Sequence, residues 1–337
     1  MPSKKGICHA KKNLACKVSE NSYQSTQKYS EVEVLRNKIY QLLMKLLGIH
    51  IDFRGDVKPY IGVCPYPRRS PLLLTLFNLQ EIWRYFRDTR PAKGILQPTK
   101  AAKFSKKGRQ ALILGNGPSL NKLNSGAVIV SKPDVWVVNS FYNVEYADSI
   151  QVTHYVISDR THFSSENHYV KIVNFINQQE DLTLVLPHWS PKEFPGHPLF
   201  QFRHLFFDDR QKAAWSRNTS PMKPRGYLSL TLYKALGFAN YLGYREILIL
   251  GMDNTEFVGY ASNANNEFIF NGNHAFVDPK TQRDFSRDFL DGPAGAFIDV
   301  AHSFADLYRF KGPFKNLDTD SLTTVFPKSI NHPWTSQ

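Results

Sequence analysis

The sequence predicts an α/β fold: a doubly wound, mostly parallel sheet with helices on both faces, preceded by a helical extension. Three observations carry this. From Ala111 onward, short runs rich in Val, Ile and Leu alternate with segments of helical periodicity. The first run, Ala111–Leu114, breaks off at Gly115-Asn116-Gly117-Pro118-Ser119, a tight turn. The later runs also end on small or polar residues, so the carboxyl ends of the strands gather chemistry where such sheets hold their ligands.

The 337 residues are 42% hydrophobic and 21% charged, which fits a globular protein of one large or two smaller domains. The charge is uneven. Residues 1–110 hold 22 Lys+Arg against 7 Asp+Glu, a net of +15, while the remainder holds 20 against 22. A basic stretch this long suits an anionic partner (phospholipid, lipopolysaccharide core or nucleic acid) or is a solvated arm. Residues 1–28, rich in Lys, Ser, Gln and Asn, read as a disordered basic arm. Residues 29–109 read as a basic helical extension and linker. In it, Val34, Leu35, Ile39, Leu42, Leu43, Leu46 and Leu47 line one side of a helix over 31–47. That face packs on the main domain, joins a second copy, or lies on a membrane surface, the first being the commonest use of an apolar face. Residues 53–70 are loop-like, Leu72–Phe86 with Trp83 is a second apolar helical patch, and 89–109, with Pro91, Pro98 and many basic residues, reads as a linker.

Residues 110–337 then form the α/β domain. Expected strands are Ala111–Leu114, Val135–Val138, Thr153–Ile157, Leu182–Leu186 and Glu246–Leu250, with helices at Ser229–Leu242 and Ile298–Phe310. The strand ends carry Gly115-Asn116-Gly117, Asn139, Ser158-Asp159, His188 and Asp253. Each is singly a common turn former; their convergence is what points to a site. At the first turn, Gly115 and Gly117 remove side chains where a ligand can approach, and Ser119 caps a following helix whose free amides face an anion. The turn matches neither G-x-G-x-x-G nor the Lys-Ser/Thr phosphate loop.

Other classes are excluded or disfavoured. No apolar run nears the roughly 20 residues of a membrane span, and the N-terminus lacks the apolar core of a secretory signal. Cys8, Cys16 and Cys64 are an odd number, against a disulfide framework and consistent with a reducing compartment. Cys8, His9 and Cys16 lack the second ligand pair of a structural zinc site. The expected location is cytoplasmic, peripheral on the inner face of the inner membrane.

Gly115-Asn116-Gly117-Pro118-Ser119-Leu120 resembles the first motif of the bacterial sialyltransferases of glycosyltransferase family 42. Asp134–Tyr142 resembles their second strand, ending in Asn-x-Phe-Tyr, and Tyr241–Asp253 resembles their helix-to-strand segment ending in G-x-D. Asn316–Leu322 fits the family's late strand and Ser-Leu turn. The first and third motifs are shared with the sister MptE-like group, which includes the flagellin-modifying Maf transferases and an archaeal pterin pyrophosphokinase. The resemblance covers about residues 111–255. It implies a modified Rossmann domain, a GT-A-like variant, that moves sialic acid or a related nonulosonic acid or Kdo from a CMP-activated donor to a cell-surface glycan or glycolipid. It also implies a homo-oligomer.

By the resemblance, Gly115, Asn116 and Asn139 contact CMP. The amides of Asn116 and Asn139 both donate and accept, which suits ribose and base edges. Backbone amides after Gly117 hold the phosphate. Ser119, Ser158, Asp159, Ser229, Thr231 and Asp253 complete the expected nucleotide contacts, and Arg160, Arg225 and Tyr260 the substrate contacts. The chain departs from the sialyltransferases at Ser158-Asp159-Arg160, where they carry Asn-Pro-Ser. It departs again after Asp253, where Tyr260 is the only nearby phenol, and it lacks a His at the family's catalytic spacing. Asn271–Asp278 resembles an Asn-x-x-His-Phe-Tyr-Asp pattern of polysaccharide-cluster relatives. His274 is therefore the first candidate for the base and His302 the second; His188 and His154 rank lower. No clear Asp-x-Asp pair follows an expected strand, and CMP leaves as a single phosphate, so no obligatory metal or other cofactor is expected. Two other readings are a diphosphotransferase using ATP and Mg²⁺, and a non-enzymatic adaptor for membrane or nucleic acid built on the basic third.

Overall fold

Seven strands form the central sheet: β1 (Gln110–Leu114), β2 (Asp134–Val138), β3 (His154–Val156), β4 (Thr183–Pro187), β5 (His204–Phe207), β6 (Glu246–Leu250) and β7 (Phe314–Asn316). Their order is β7-β6-β1-β2-β3-β4-β5, and every neighbouring pair is parallel. The computed structural model describes residues 93–123, 128–129, 132–209, 219–223, 230–254, 260–262, 268–270, 275, 283–284 and 307–335. The basic arm 1–28, the helical stretches 31–47 and 72–86, and all but the last residues of the expected helix Ile298–Phe310 lie outside them.

The strands alternate their side chains between two cores, as a period of two requires. Leu112, Leu114, Val135, Val137, Tyr155, Leu184 and Leu248 face one core, with Ile172, Phe175 and Ile176 of helix α2 (Glu166–Asn177). Ala111, Ile113, Trp136, Val138, Val156, Val185 and Ile249 face the other, with Leu232, Ala235, Leu236 and Ala239 of helix α3 (Thr231–Leu242). Helices thus cover both faces, and the strands read as continuous apolar runs because both sides are buried. At roughly 1.5–3 kcal/mol for each large side chain removed from water, these two layers dominate the stability of the domain.

The expected strands appear with ends moved by at most one residue, and two more join the central sheet. β5 is an edge strand of four residues with half-exposed His204 and Leu205, and β7 has three residues with Lys315 outward, so neither shows a long apolar run. α2 was also not expected, since only Ile172, Phe175 and Ile176 mark its buried stripe within a polar segment. The segment read as a linker corrects differently: within it, helix α1 (Gln97–Ala101) packs on β5. Thr99, fully buried, donates to the Phe206 carbonyl at 2.6 Å and accepts from the Phe206 amide at 3.1 Å. Lys106, at 2.9 Å, and Arg109 pair with buried Asp134 at the start of β2, and Tyr244 donates its phenol to the same carboxylate at 2.6 Å. Burial alone would raise Asp134, but these partners hold it below the usual carboxylate range. Lys106 and Arg109 are thus part of the sheet's amino end.

The chain starts at the centre with β1, moves outward through β2 to β5, then crosses back to place β6 and β7 on the other side. The strand order thus reverses between β1 and β6, the switch point near which open α/β sheets take ligands. Among the described residues, no helix is long and apolar enough to cross a membrane.

Candidate functional site

The turn after β1 is locked onto the turn after β6. Gly115 donates its amide to Leu250 O at 2.8 Å, and Gly117 donates to Gly251 O at 3.0 Å. A Cβ on Gly115 would strike the Gly251 carbonyl, with its carbon at 2.9 Å; a Cβ on Gly251 would strike Gly115 in return. Gly251 also sits at φ +74°, which only glycine adopts without strain. A Cβ on Gly117 would strike the Asp253 carboxylate. The two glycines of the first turn therefore make room for the neighbouring strand end, not for a ligand as the sequence led us to expect. Ser119 corrects similarly. Its hydroxyl accepts from the Gly251 amide at 3.0 Å, and its amide donates to Asp253 Oδ2 at 3.1 Å. The following Pro118–Lys122 is a 3-10 turn of 5 residues with no side-chain cap. The anion at this amide is the protein's own carboxylate.

Between β1, β2 and β3 the groups are arranged otherwise. Asn139, at φ +40°, leaves β2 in the left-handed region, which asparagine tolerates better than most residues. Its amide donates to Thr231 Oγ1 at 2.7 Å, and its side-chain oxygen accepts from the Ser158 amide at 3.1 Å. Ser158 Oγ lies 2.5 Å from Thr231 Oγ1, closing a ring of three side chains from β2, β3 and α3. The ring orients Asn139 and leaves one N–H and one lone pair of its amide uncommitted. Beside it, Asn116 donates to Val138 O at 3.4 Å, while its own Oδ1 is buried without a partner. A buried polar atom of this kind is expensive unless something binds it. The carbonyl of Asn116 accepts from the amide of Ala275 at 2.8 Å, tying the insertion after β6 to this turn.

On the other side of the switch point stands an acidic group. Asp253, after β6, is buried; burial and a hydrogen bond shared with Asp318 push it up to about 6. Asp318 is held below the usual range: burial opposes this, but its bonds from Asp253, Lys122 and the Asp320 amide outweigh it. β7 is followed by Asp318-Thr319-Asp320, an Asp-x-Asp spacing after a strand that the sequence does not reveal. The Lys122 ammonium lies at 2.5 Å from Asp318 and 3.1 Å from Asp320, so an internal cation stands between these carboxylates. Among the described residues no three His, Cys, Asp or Glu side chains gather as a metal-holding group.

The remaining expected residues are not gathered at one place. Asp159 folds back on Thr161, accepting from its amide at 3.1 Å and its hydroxyl at 2.5 Å. Arg160, expected to bind substrate, pairs through both guanidinium nitrogens with Glu193 and lies 4.1 Å over the Trp189 ring. Its fork is already filled by a carboxylate of the same chain. His188 accepts the Asp209 amide at 3.1 Å through Nδ1. His154 is buried flat against Trp136, ring centroids 4.0 Å apart, and burial lowers it to about 3; it is a packing residue. The sequence reading missed a histidine group near the ends of β2 and β3. Tyr142 Oη lies 2.6 Å from His168 Nδ1, and buried His162, lowered by burial to about 4, has its ring 5.4 Å from that of His168. Their only signal is Tyr142 following Asn139 by three residues and His162 following Ser158 by four. Tyr260 begins a small antiparallel sheet, Tyr260–Ser262 on Phe268–Phe270 on Arg283–Asp284. His274, His302, Ser229 and Arg225 lie outside the described residues.

No family model matches the chain, and no curated protein matches it. Solved structures are similar to it at low identity, among them the following three. A Maf glycosyltransferase from Magnetospirillum magneticum AMB-1 is 12% identical over 77% of this chain and 42% of that one, with a TM-score of 0.36. The chain thus spans less than half of that protein. The sialyltransferase CstII from Campylobacter jejuni, solved with the substrate analogue CMP-3FNeuAc, is 16% identical over 65% of this chain and 85% of that one, TM-score 0.36. The monofunctional α-2,3-sialyltransferase Cst-I of the same organism is 16% identical over 68% and 84%, TM-score 0.36.

Proposed function

We propose that this chain is a glycosyltransferase that takes sialic acid, a related nonulosonic acid or Kdo from a CMP-activated donor and delivers it to a cell-surface glycan. The observation that carries the reading is the uncharged polar cluster of Asn116, Asn139, Ser158 and Thr231 at the carboxyl ends of β1, β2 and β3 and the start of α3, with the Asn116 Oδ1 buried and unmatched. Amides and hydroxyls in this arrangement read a ribose and a pyrimidine edge without adding charge. The motif resemblance over residues 111–255 favours CMP among the nucleotides. Glycosyl transfer also needs a base for the acceptor hydroxyl. His274 takes that role in this reading, supported by the bond that joins its neighbour Ala275 to the Asn116 carbonyl. His302 is the second candidate. Gly115 and Gly117 then serve the site by fixing the turn, while Asp253 stands at the far wall as a proton-sharing carboxyl. Arg225, Ser229 and Tyr260 remain proposed donor contacts.

The test is turnover of labelled CMP-sialic acid and CMP-Kdo, with and without a glycan acceptor. The expected result is release of CMP by the wild-type chain and a loss of about 100-fold or more in His274→Ala, the ordinary scale for a removed acid-base group. No release from any CMP-sugar, together with diphosphate transfer from ATP and Mg²⁺, would replace this reading with the diphosphotransferase one.

A further inference from the structure

The end of the sheet opposite the candidate site carries a feature that the proposed chemistry does not use. The turn before β1 raises Phe104 into solvent, 49% exposed, at φ +59°. A phenylalanine in the left-handed region is uncommon and costs energy, so the surrounding structure must hold it there. It is held by backbone bonds to the end of α3: Phe104 donates to Tyr241 O at 3.3 Å and Lys106 to Leu242 O at 3.0 Å. Gly243, at φ +82°, gives the ring its seat; a Cβ there would meet Phe104 Cδ1 at 2.9 Å. Lys103 and Lys107 flank the ring, their ammonium groups 4.8 and 5.1 Å from its centroid. Arg245, whose backbone is joined to that of Arg109 at 2.9 Å, extends the charge to the amino end of β6. Lys103, Lys107 and Arg245 are exposed.

We infer that this end of the domain docks on an anionic lipid bilayer, with Phe104 seated among the headgroups and Lys103, Lys107 and Arg245 against their phosphates. An aromatic ring between lysines on a protruding turn has the form of an interfacial anchor: the ring enters the headgroup layer while the cations meet the negative surface. Charge complementarity sets the orientation. At the opposite end of the sheet Lys122 is taken up by Asp318 and Asp320, and Arg160 by Glu193. Strands of five residues separate the two ends by about 17 Å. The candidate site therefore faces away from the bilayer, where the tip of an extended acceptor reaches and a headgroup-level sugar does not. This inference does not depend on which sugar is moved, or on whether one is.

The test is flotation of the full-length chain with phosphatidylglycerol–phosphatidylcholine vesicles and with pure phosphatidylcholine vesicles at physiological salt. Wild type is expected to float with the anionic vesicles only. At about a factor of 5 per basic residue near such a surface, Lys103→Glu/Lys107→Glu lowers the partition tenfold or more. Phe104→Ala lowers it several-fold, and Phe104→Trp keeps or raises it. Thermal melts check folding; if Phe104→Ala fails to fold, the lysine pair, whose side chains are exposed, still decides. Unchanged flotation of the lysine variant would assign the attraction to residues 1–92 and overturn the inference. So would no flotation by the wild type, with or without salt-sensitive binding to a single-stranded RNA.

Discussion

Gly115→Ala is expected to destabilise the domain by about 3 kcal/mol or more, the upper end for overpacking a well-filled core. The reason lies in what the new methyl meets. Its obstacles are the Gly251 carbonyl and, at 3.2 Å, Leu232 of α3. A side chain can rotate away; a carbonyl at the end of β6 cannot move without breaking the β1–β6 register and the two amide bonds that close the turn. In a domain of this size that corresponds to a fall in melting temperature of roughly 10 °C. Gly94→Ala is the control, because a Cβ there meets nothing within 4 Å and its φ is ordinary. It should change stability by less than about 0.5 kcal/mol. Calorimetric melts of both variants check the pair. Equal melting temperatures would mean that the turn after β1 is not locked on β6.

Acid should destabilise the fold well above the range where ordinary carboxylates titrate. His154 and His162 are buried and neutral, lowered by burial from 6.5 to about 3 and about 4. Below pH 6.5 the unfolded chain protonates both and the folded one does not. Each therefore contributes stability that is complete above 6.5 and is lost as the pH falls, at about 1.4 kcal/mol per pH unit. Asp253 acts in the opposite sense. Raised to about 6, it takes up its proton in the folded state first, so its contribution grows as the pH falls from 6 towards 4. Two histidines against one carboxyl leave a net loss on the order of 3 kcal/mol between pH 6 and pH 4. Variants separate the parts. Asp253→Asn, which mimics the protonated acid, should steepen the slope about twofold, and His154→Phe, which keeps a ring against Trp136, should flatten it. Melting temperatures across pH 4–8 measure this; a flat wild-type profile would contradict the burial of the two histidines.

Much of the fold was legible because a doubly wound sheet buries both faces of each strand, leaving apolar runs such as Ala111–Leu114 and Glu246–Leu250 that local pattern reveals. The edges were not legible. β5 and β7 are short, half-covered and polar on one side, and only their partners β4 and β6 make them strands. The segment 97–109 read as a linker because its prolines and lysines are loop-like locally; its structure comes from distant groups, Phe206 for Thr99 and Asp134 for Lys106 and Arg109. The site was legible in its residue types more than in their roles. Asn139, Ser158 and Thr231 do converge, 92 residues apart in the chain for the first and last. Gly117 and Ser119 looked like a ligand cradle, yet their space and hydrogen bonds are taken by Gly251 and Asp253. No local pattern shows that two strand ends will touch. Lys122 between Asp318 and Asp320 is likewise a tertiary fact, since the ammonium and the carboxylates are 196 and 198 residues apart.

In the proposed function, cytidine monophosphate binds beside Asn116, Asn139, Ser158 and Thr231. Calorimetric titration of the full-length chain with CMP, and with UDP, GDP and ATP in the presence and absence of Mg²⁺, tests it directly. CMP should bind without a metal and in preference to the others. Asn116→Ala, which removes the unmatched oxygen, should weaken CMP by roughly tenfold, the worth of one polar contact to a bound ligand, with little change in melting temperature. No heat with CMP, or Mg²⁺-dependent binding of ATP that Asn116→Ala leaves untouched, would contradict the account.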